Sequence, residues 1–295
     1  SLLGMAILLK GRNRRVEQKS VIKNWLPEKL RNHSLKAWFA VCWIILILIF
    51  TLGPLSAIVL DSFRKFENGE WIYTLYWYEK LFSWRENNHF LSSLWNSLRI
   101  GLGSAVISSF CGLGLGSLIA YKKGWQRRFW EVLTLFPLAL STVVFGVAWF
   151  HFYQGNLAGT VPLIYVVMAM HALLTCPYWI RVVLPTLESI PQQWHIESKM
   201  LGKKPLEYAL RILWPWLRKT FLIAFFFSFS LSLGELNSTM MIADEPVRPL
   251  PLEIYGAISG YRFSYASAVA VILLILTVST FLLVERSIGF FGRLK

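Results

Sequence analysis

Ile196-Glu197-Ser198-Lys199-Met200-Leu201-Gly202, running on through Pro205 and Ile212 to Pro215, is a charged, kinked stretch set between long apolar runs. Gly202 suits a left-handed turn between two short helices, because glycine enters that backbone region without a Cβ penalty. Pro205 fits the first turn of the second helix, where its missing N–H costs little, and Glu207 favours the positive helix end. Leu206, Ala209, Leu210 and Leu213 recur at helical spacing, so this helix has an apolar face that needs a surface to lie against. Pro215 is expected to break the helix just before the next apolar run, because its ring clashes with the carbonyl four residues back, so that the chain turns there and enters the bilayer.

Working outward, 55% of the 295 residues are hydrophobic and only 16% are charged, too apolar for an ordinary soluble domain of this size. The class is integral membrane. Cys42, Cys111 and Cys176 each sit inside an apolar run, with neither disulfide nor zinc spacing. His151, His171 and His195 form no metal-binding pattern, and His171 reads as a satisfied buried imidazole. The net charge of +14 does not point to nucleic acid, since the basic residues alternate with apolar spans and form no single stripe. Gly112-Leu-Gly-Leu-Gly116 is no phosphate loop: it lies in an apolar helix and lacks a following lysine.

Residues 1–9 are apolar but far too short to cross a bilayer, and read as the last turns of a preceding span. Residues 10–36 carry nine basic and two acidic side chains, a cytoplasmic linker by the positive-inside rule. Six spans follow, at about 37–60, 94–121, 130–153, 158–181, 216–243 and 263–284, with the basic bias alternating correctly between their loops. The aromatic stretch Trp71 to Tyr78 is expected to form a short amphipathic helix in an external loop. Ser104, Ser108, Gly112, Gly116 and Ala120 recur every fourth residue in the second span, which lets another helix approach closely. Pro137 and Pro177 should kink the third and fourth spans, and Gln154-Gly155-Asn156 should form the turn between them. Glu235 falls inside the fifth span, where an ionisable group is costly in lipid and turns to the bundle interior or a wet cavity.

The opening stretch, at 186–215 between the fourth and fifth spans, resembles the cytoplasmic coupling loop of permease subunits in binding-protein-dependent ABC importers. The family pattern is Glu-Ala-Ala, three residues, Gly, nine residues, Ile, two residues, Pro. Gly202, Ile212 and Pro215 fall at that spacing, while Ile196-Glu197-Ser198 places the acid one residue late. Ser232-Leu-Gly-Glu-Leu236, Leu250-Pro251, Ile254-Tyr255 and Gly260-Tyr261-Arg262 look like the end of ferric-iron and thiamine permeases. Asn96-Ser97-Leu98 and Pro177-Tyr178 are similar to the same branch.

The resemblance covers residues 37–287 and implies the all-α, type I ABC importer (MetI-like) fold. The chain would be the C-terminal half of a fused two-half permease, with both ends of the six-span domain and the tail at 288–295 in the cytoplasm. It implies a subunit without enzymatic activity or cofactor of its own. Its partners would be a cytoplasmic ATPase dimer that binds ATP, a second permease half, an external substrate-binding protein and membrane lipid. Ferric iron or thiamine is the favoured solute. Glu197, Leu201, Gly202, Pro205, Ile212 and Pro215 would couple to the ATPase, and Glu235, Asn96 and Asn237 are candidates for the translocation path. The competing class, a secondary transporter or channel without an ATPase, calls for paired intramembrane charges or an inverted repeat, and the sequence shows neither.

Overall fold

The computed structural model describes residues 35–83, 89–191, 193–194, 200, 202, 205–243 and 246–293. The expectations for residues 1–34, and for Glu197 and Leu201, lie outside the described residues. By contacts the chain divides into two units, residues 1–57 and 58–295.

In the first unit the described residues are the opening part of helix α1 (Leu35–Asp61), which is uncharged from residue 37 up to its last residue. Large side chains such as Trp38, Ile44 and Phe50 are exposed along it. A helix with apolar residues all round buries them in something other than its own chain.

The second unit begins with the end of α1 and a two-stranded antiparallel hairpin, β1 (Arg64–Glu67) and β2 (Glu70–Tyr73), followed by helix α2 (Tyr76–Phe82). The expected amphipathic helix thus begins only at Tyr76 and runs past the aromatic stretch to Phe82, while Trp71 to Tyr73 belong to β2. Asn68-Gly69, with φ of 53° and 88°, sets the hairpin register, pairing Arg64 with Tyr73 and Glu67 with Glu70. The Arg64 guanidinium lies 4.5 Å from the Trp71 ring centroid.

Among the described residues, five helices are long and apolar enough to cross a membrane: α1, α3 (His89–Tyr121), α6 (Leu163–Glu188), α8 (Trp214–Leu233) and α11 (Phe263–Arg293). A sixth span exists only if α4 (Gly124–Ala139) and α5 (Thr142–Phe152, continued by a π-helical turn Tyr153–Leu157) are counted together, and they meet at a bend of 93°. The span expected at 130–153 with a kink at Pro137 is instead two helices with a break between them, the first beginning at Gly124. Pro137 cannot donate the hydrogen bond of its turn, and the backbone leaves the helix at Leu140 (φ −87°, ψ 146°) before Ser141 starts the next one. The turn expected at Gln154-Gly155-Asn156 comes slightly later, with Gly159 in the left-handed region at φ +82°.

The fifth span is also shorter than expected. It ends at Leu233, and the chain crosses Gly234–Ser238 in non-helical conformation before a single short helix, α9 (Thr239–Ile242). At its other end the chain does not break at Pro215. Helix α7 (Pro205–Tyr208) passes through a π-helical turn (Ala209–Leu213) into α8, with helical angles at Leu213 and Trp214. A π turn holds one extra residue, so a proline just beyond it sits at a helix start, where no N–H is required. The last span also exceeds its expected end at residue 284, staying helical to Arg293.

Helices α3, α6 and α8 pack on one another at the centre of this unit, and α11 joins through α8. The small-residue expectation for α3 holds: Ser104, Ser108, Gly112 and Gly116 are all buried. Ser108 Oγ donates to the Ala172 carbonyl (3.0 Å) and lies 2.6 Å from Thr175 Oγ1, and the Trp179 ring covers the Cα of Gly112. Helix α10 (Leu250–Ser259) lies against α3 and α11, carrying Leu250 and Ala257 into a cluster with Phe90, Ala266 and Val269.

Candidate functional site

Two of the membrane helices are interrupted, and the interruptions lie together. Gly146 of α5 packs on the stretch after α8: a Cβ at Gly146 would stand 2.8 Å from Ser238 Cα and 3.0 Å from Met241 Cβ. Next to this contact is a cavity of about 200 Å³. Pro137, Leu138, Leu140 and Thr142 line it from the bend, Leu231, Ser232 and Glu235 from the end of α8, and His171, Leu174, Thr175 and Tyr178 from α6. Irregular backbone at membrane depth is tolerated where it lines a cavity, and broken helices are where transport proteins build solute sites.

Each polar group at the wall is placed by local structure. Helix α8 stops at Gly234, and Glu235 Oε1 accepts hydrogen bonds from Ser238 N (2.9 Å) and Ser238 Oγ (3.1 Å). This carboxylate holds Ser238, the residue that precedes α9, as well as serving as a wall group. His171 is buried, with Nδ1 2.7 Å from Ser232 Oγ and Nε2 2.7 Å from Thr239 Oγ1. The imidazole is satisfied, as expected from the sequence. Tyr178 packs edge-on against Phe227, with ring centroids 5.9 Å apart.

Of the three path candidates, only Glu235 reaches the cavity. Asn96 does different work: its Nδ2 donates to the carbonyls of Pro246 (2.8 Å) and Arg248 (3.4 Å), tying the segment before α10 onto α3. Ser97 Oγ completes that tie by accepting from Leu250 N at 2.7 Å. Asn237 is exposed beside the break and does not line the cavity. His171, Tyr178, Thr142 and Ser232 were not singled out as path residues, since each reads as an ordinary polar residue on an apolar helix. Only the break at Gly234 and the bend after Pro137 bring them to one wall.

At the opposite end of the candidate machinery, Gly202 is exposed and has φ +65°, the left-handed turn anticipated for it. Pro205 begins α7, Ile212 falls in the π turn and Pro215 in the first turn of α8. Tyr208 is buried, and that burial, with Tyr121 close by, pushes its phenol above the ordinary range. Arg127 of α4 bonds Glu131 (2.7 Å) and reaches Glu188 at the end of α6 (2.6 Å). Trp216 Nε1 donates to Ser189 Oγ at 3.3 Å and the Trp216 ring meets Trp194 edge-on, so both ends of the loop rest on the same helix ends.

Comparison with known proteins agrees with this architecture. Residues 112–293 match the family model described as binding-protein-dependent transport system inner membrane component. A thiamine transport system permease protein, ThiP, of Brucella abortus is 23% identical over 65% of this chain, which spans only 35% of that relative's length. A putative 2-aminoethylphosphonate transport system permease protein, PhnV, of Salmonella choleraesuis is 26% identical over 84% of this chain and 93% of its own. Among solved structures, a chain of a bacterial ABC transporter for import of the acidic polysaccharide alginate superposes with a TM-score of 0.68. It is 16% identical, and the match covers 88% of this chain and 98% of that one. The fold is that of the type I ABC importer permeases, and the chain belongs to the family of binding-protein-dependent transport system inner membrane components.

Proposed function

We propose that this chain is a transmembrane permease subunit of an ATP-driven importer that moves a small organic solute, thiamine in the first instance, across the bacterial inner membrane. The observation that carries the reading is the cavity between the bend after Pro137 and the end of α8, an apolar wall that carries Glu235, His171, Thr142, Thr175 and Ser232. A second permease half would complete the pathway, and an external binding protein would deliver the solute. ATP would bind and be hydrolysed on two cytoplasmic ATPase subunits. The stretch around Gly202 would sit in a groove of one ATPase and turn its closure into helix movement. With α4 and α5 counted as one bent span, both ends of the six-span domain would then lie on the cytoplasmic side.

Two features of the cavity bear on the solute. Its wall carries the Glu235 carboxylate and neither lysine nor arginine, which suits a cationic solute better than an oxyanion. Among the described residues no three of His, Cys, Asp or Glu gather into a group able to hold a metal ion, which favours an organic cation over bare ferric iron.

Proteoliposomes containing this permease, its ATPase and its binding protein test the proposal through uptake of labelled thiamine. Uptake that needs both enclosed ATP and the binding protein is expected. Uptake driven by an ion gradient without ATP would replace the reading with a secondary transporter. ATP-driven uptake of another solute alone would overturn the choice of thiamine.

A further inference from the structure

We infer that His171 is a positioning residue that pins the break between α8 and α9 to helix α6, and that through it movement at the loop end of α6 reaches the cavity wall. The inference rests on the permease reading and concerns how its two candidate sites communicate.

The geometry is specific to the break. Ser232 lies in the last turn of α8 and Thr239 is the first residue of α9, so the imidazole's two hydrogen bonds clasp the two sides of Gly234–Ser238. A histidine that was merely satisfied would need partners anywhere nearby. Here both belong to the two flanks of one interruption, and Ser232, Thr239 and His171 are all buried. The bonds also have a direction. Thr239 Oγ1 donates to the Glu235 carbonyl at 3.1 Å, so it accepts from His171 Nε2–H, which leaves Nδ1 to accept from the Ser232 hydroxyl. The chain Ser232 to His171 to Thr239 to Glu235 therefore closes on the backbone of the residue that lines the cavity.

The other end of α6 supplies the input. One helix runs from Leu163 to Glu188 without interruption, despite Pro177 and Pro185. From His171 to Glu188 it extends roughly 26 Å at the usual helical rise. There Glu188 is held by Arg127, and the Gly202 stretch follows. A tilt imposed at Glu188 must move the imidazole, and the imidazole carries both flanks of the break with it.

Thr239 offers a clean test because it belongs to the pin but does not line the cavity. Thr239→Val keeps the shape and removes the hydroxyl, whereas Thr239→Ser keeps the hydroxyl. In the reconstituted complex, T239V should lower ATP-dependent uptake about tenfold, the effect of one buried hydrogen bond on an equilibrium, while T239S stays near wild type. Equal uptake in the two variants would overturn the pin.

A second measurement needs neither partner nor transport. With Cys42, Cys111 and Cys176 replaced, a cysteine introduced by Asn237→Cys in the break is labelled with a maleimide in detergent. T239V, and S232A at the other end of the pin, should speed labelling about tenfold over T239S. Unchanged rates in both would overturn the inference. Failure of the wild-type complex to show ATP-dependent uptake would instead count against the permease reading, and the labelling comparison would still judge the pin.

Discussion

Gly112→Ala should destabilise the protein by about 1–3 kcal/mol, although alanine is the better helix former. The added Cβ would stand 2.8 Å from Trp179 Cδ2 and 3.1 Å from Cγ, with Cε3 closer still. Carbon atoms rest at roughly 3.5–4.0 Å, so α3 and α6 must part by roughly 1 Å or more or the indole must turn. Trp179 has little freedom to turn: it is fully buried, and Phe221 meets it edge-on with centroids 5.7 Å apart. Gly114, two residues on, is the internal control, because its Cβ would meet nothing within 4 Å. Gly114→Ala should be neutral or stabilising by up to about 1 kcal/mol. Thermal unfolding and SDS titration in detergent micelles compare the two. Adding Trp179→Phe to G112A should recover at least about 1 kcal/mol relative to the sum of the single changes, because the smaller ring vacates the contact. If G112A unfolds no more readily than G114A, or the pair is simply additive, the close approach of α3 and α6 at this residue is wrong.

Among the described residues no atom lies within 4 Å of a Cβ at Gly202, so the penalty counted for Gly202→Val is that of the left-handed backbone at φ +65°, roughly 1–2 kcal/mol in the turn. Uptake should be abolished while membrane insertion is unchanged, and normal uptake would remove the coupling role. Glu235→Gln keeps an acceptor for Ser238 N, whereas Glu235→Ala loses it and should cost about 1 kcal/mol of stability. If the charge serves the path, the glutamine variant keeps its stability but loses uptake, and normal uptake would reduce the acid to an acceptor for Ser238. Arg248→Met leaves the Glu253 carboxylate, whose side chain is 4% exposed, without its cation at 3.0 Å, and should cost roughly 3 kcal/mol. Replacing Glu253 by Gln in the same chain should return much of that loss in an unfolding titration, and no recovery would show the pair to be unimportant.

Much of the fold is legible in uncharged runs alone. The ends of α1, the C-terminal end of α3, the buried small residues of α3 and the left-handed Gly202 turn all follow from composition, spacing and backbone sterics, whereas α3 starts five residues before the expected position. The bend after Pro137 does not, because it lies in an uncharged run from Val132 to Ile180, and hydropathy cannot tell a span from a broken one. Its local signal was a proline followed within a turn by Ser141 and Thr142. Gly234 marks the end of α8, but Glu235 reads from the sequence as a charge within a helix, whereas it lies beyond the helix and bonds Ser238. Asn68-Gly69 announced the hairpin, and the aromatic run beside it masked the signal. The cavity wall was the least legible feature, since His171, Tyr178 and Ser232 become neighbours of Glu235 only after both interruptions have formed.

The account depends most on the Gly202 stretch meeting an ATPase. Met200, two residues before the turn and 83% exposed, is the place to ask. With the native cysteines replaced, Met200→Cys carrying a short photoactivatable cross-linker should give a single permease–ATPase adduct in the assembled complex, with a yield that changes when ATP is added. Labelling of this cysteine from the outside of intact cells, or an assembled, ATP-hydrolysing complex that gives no such adduct, would contradict it.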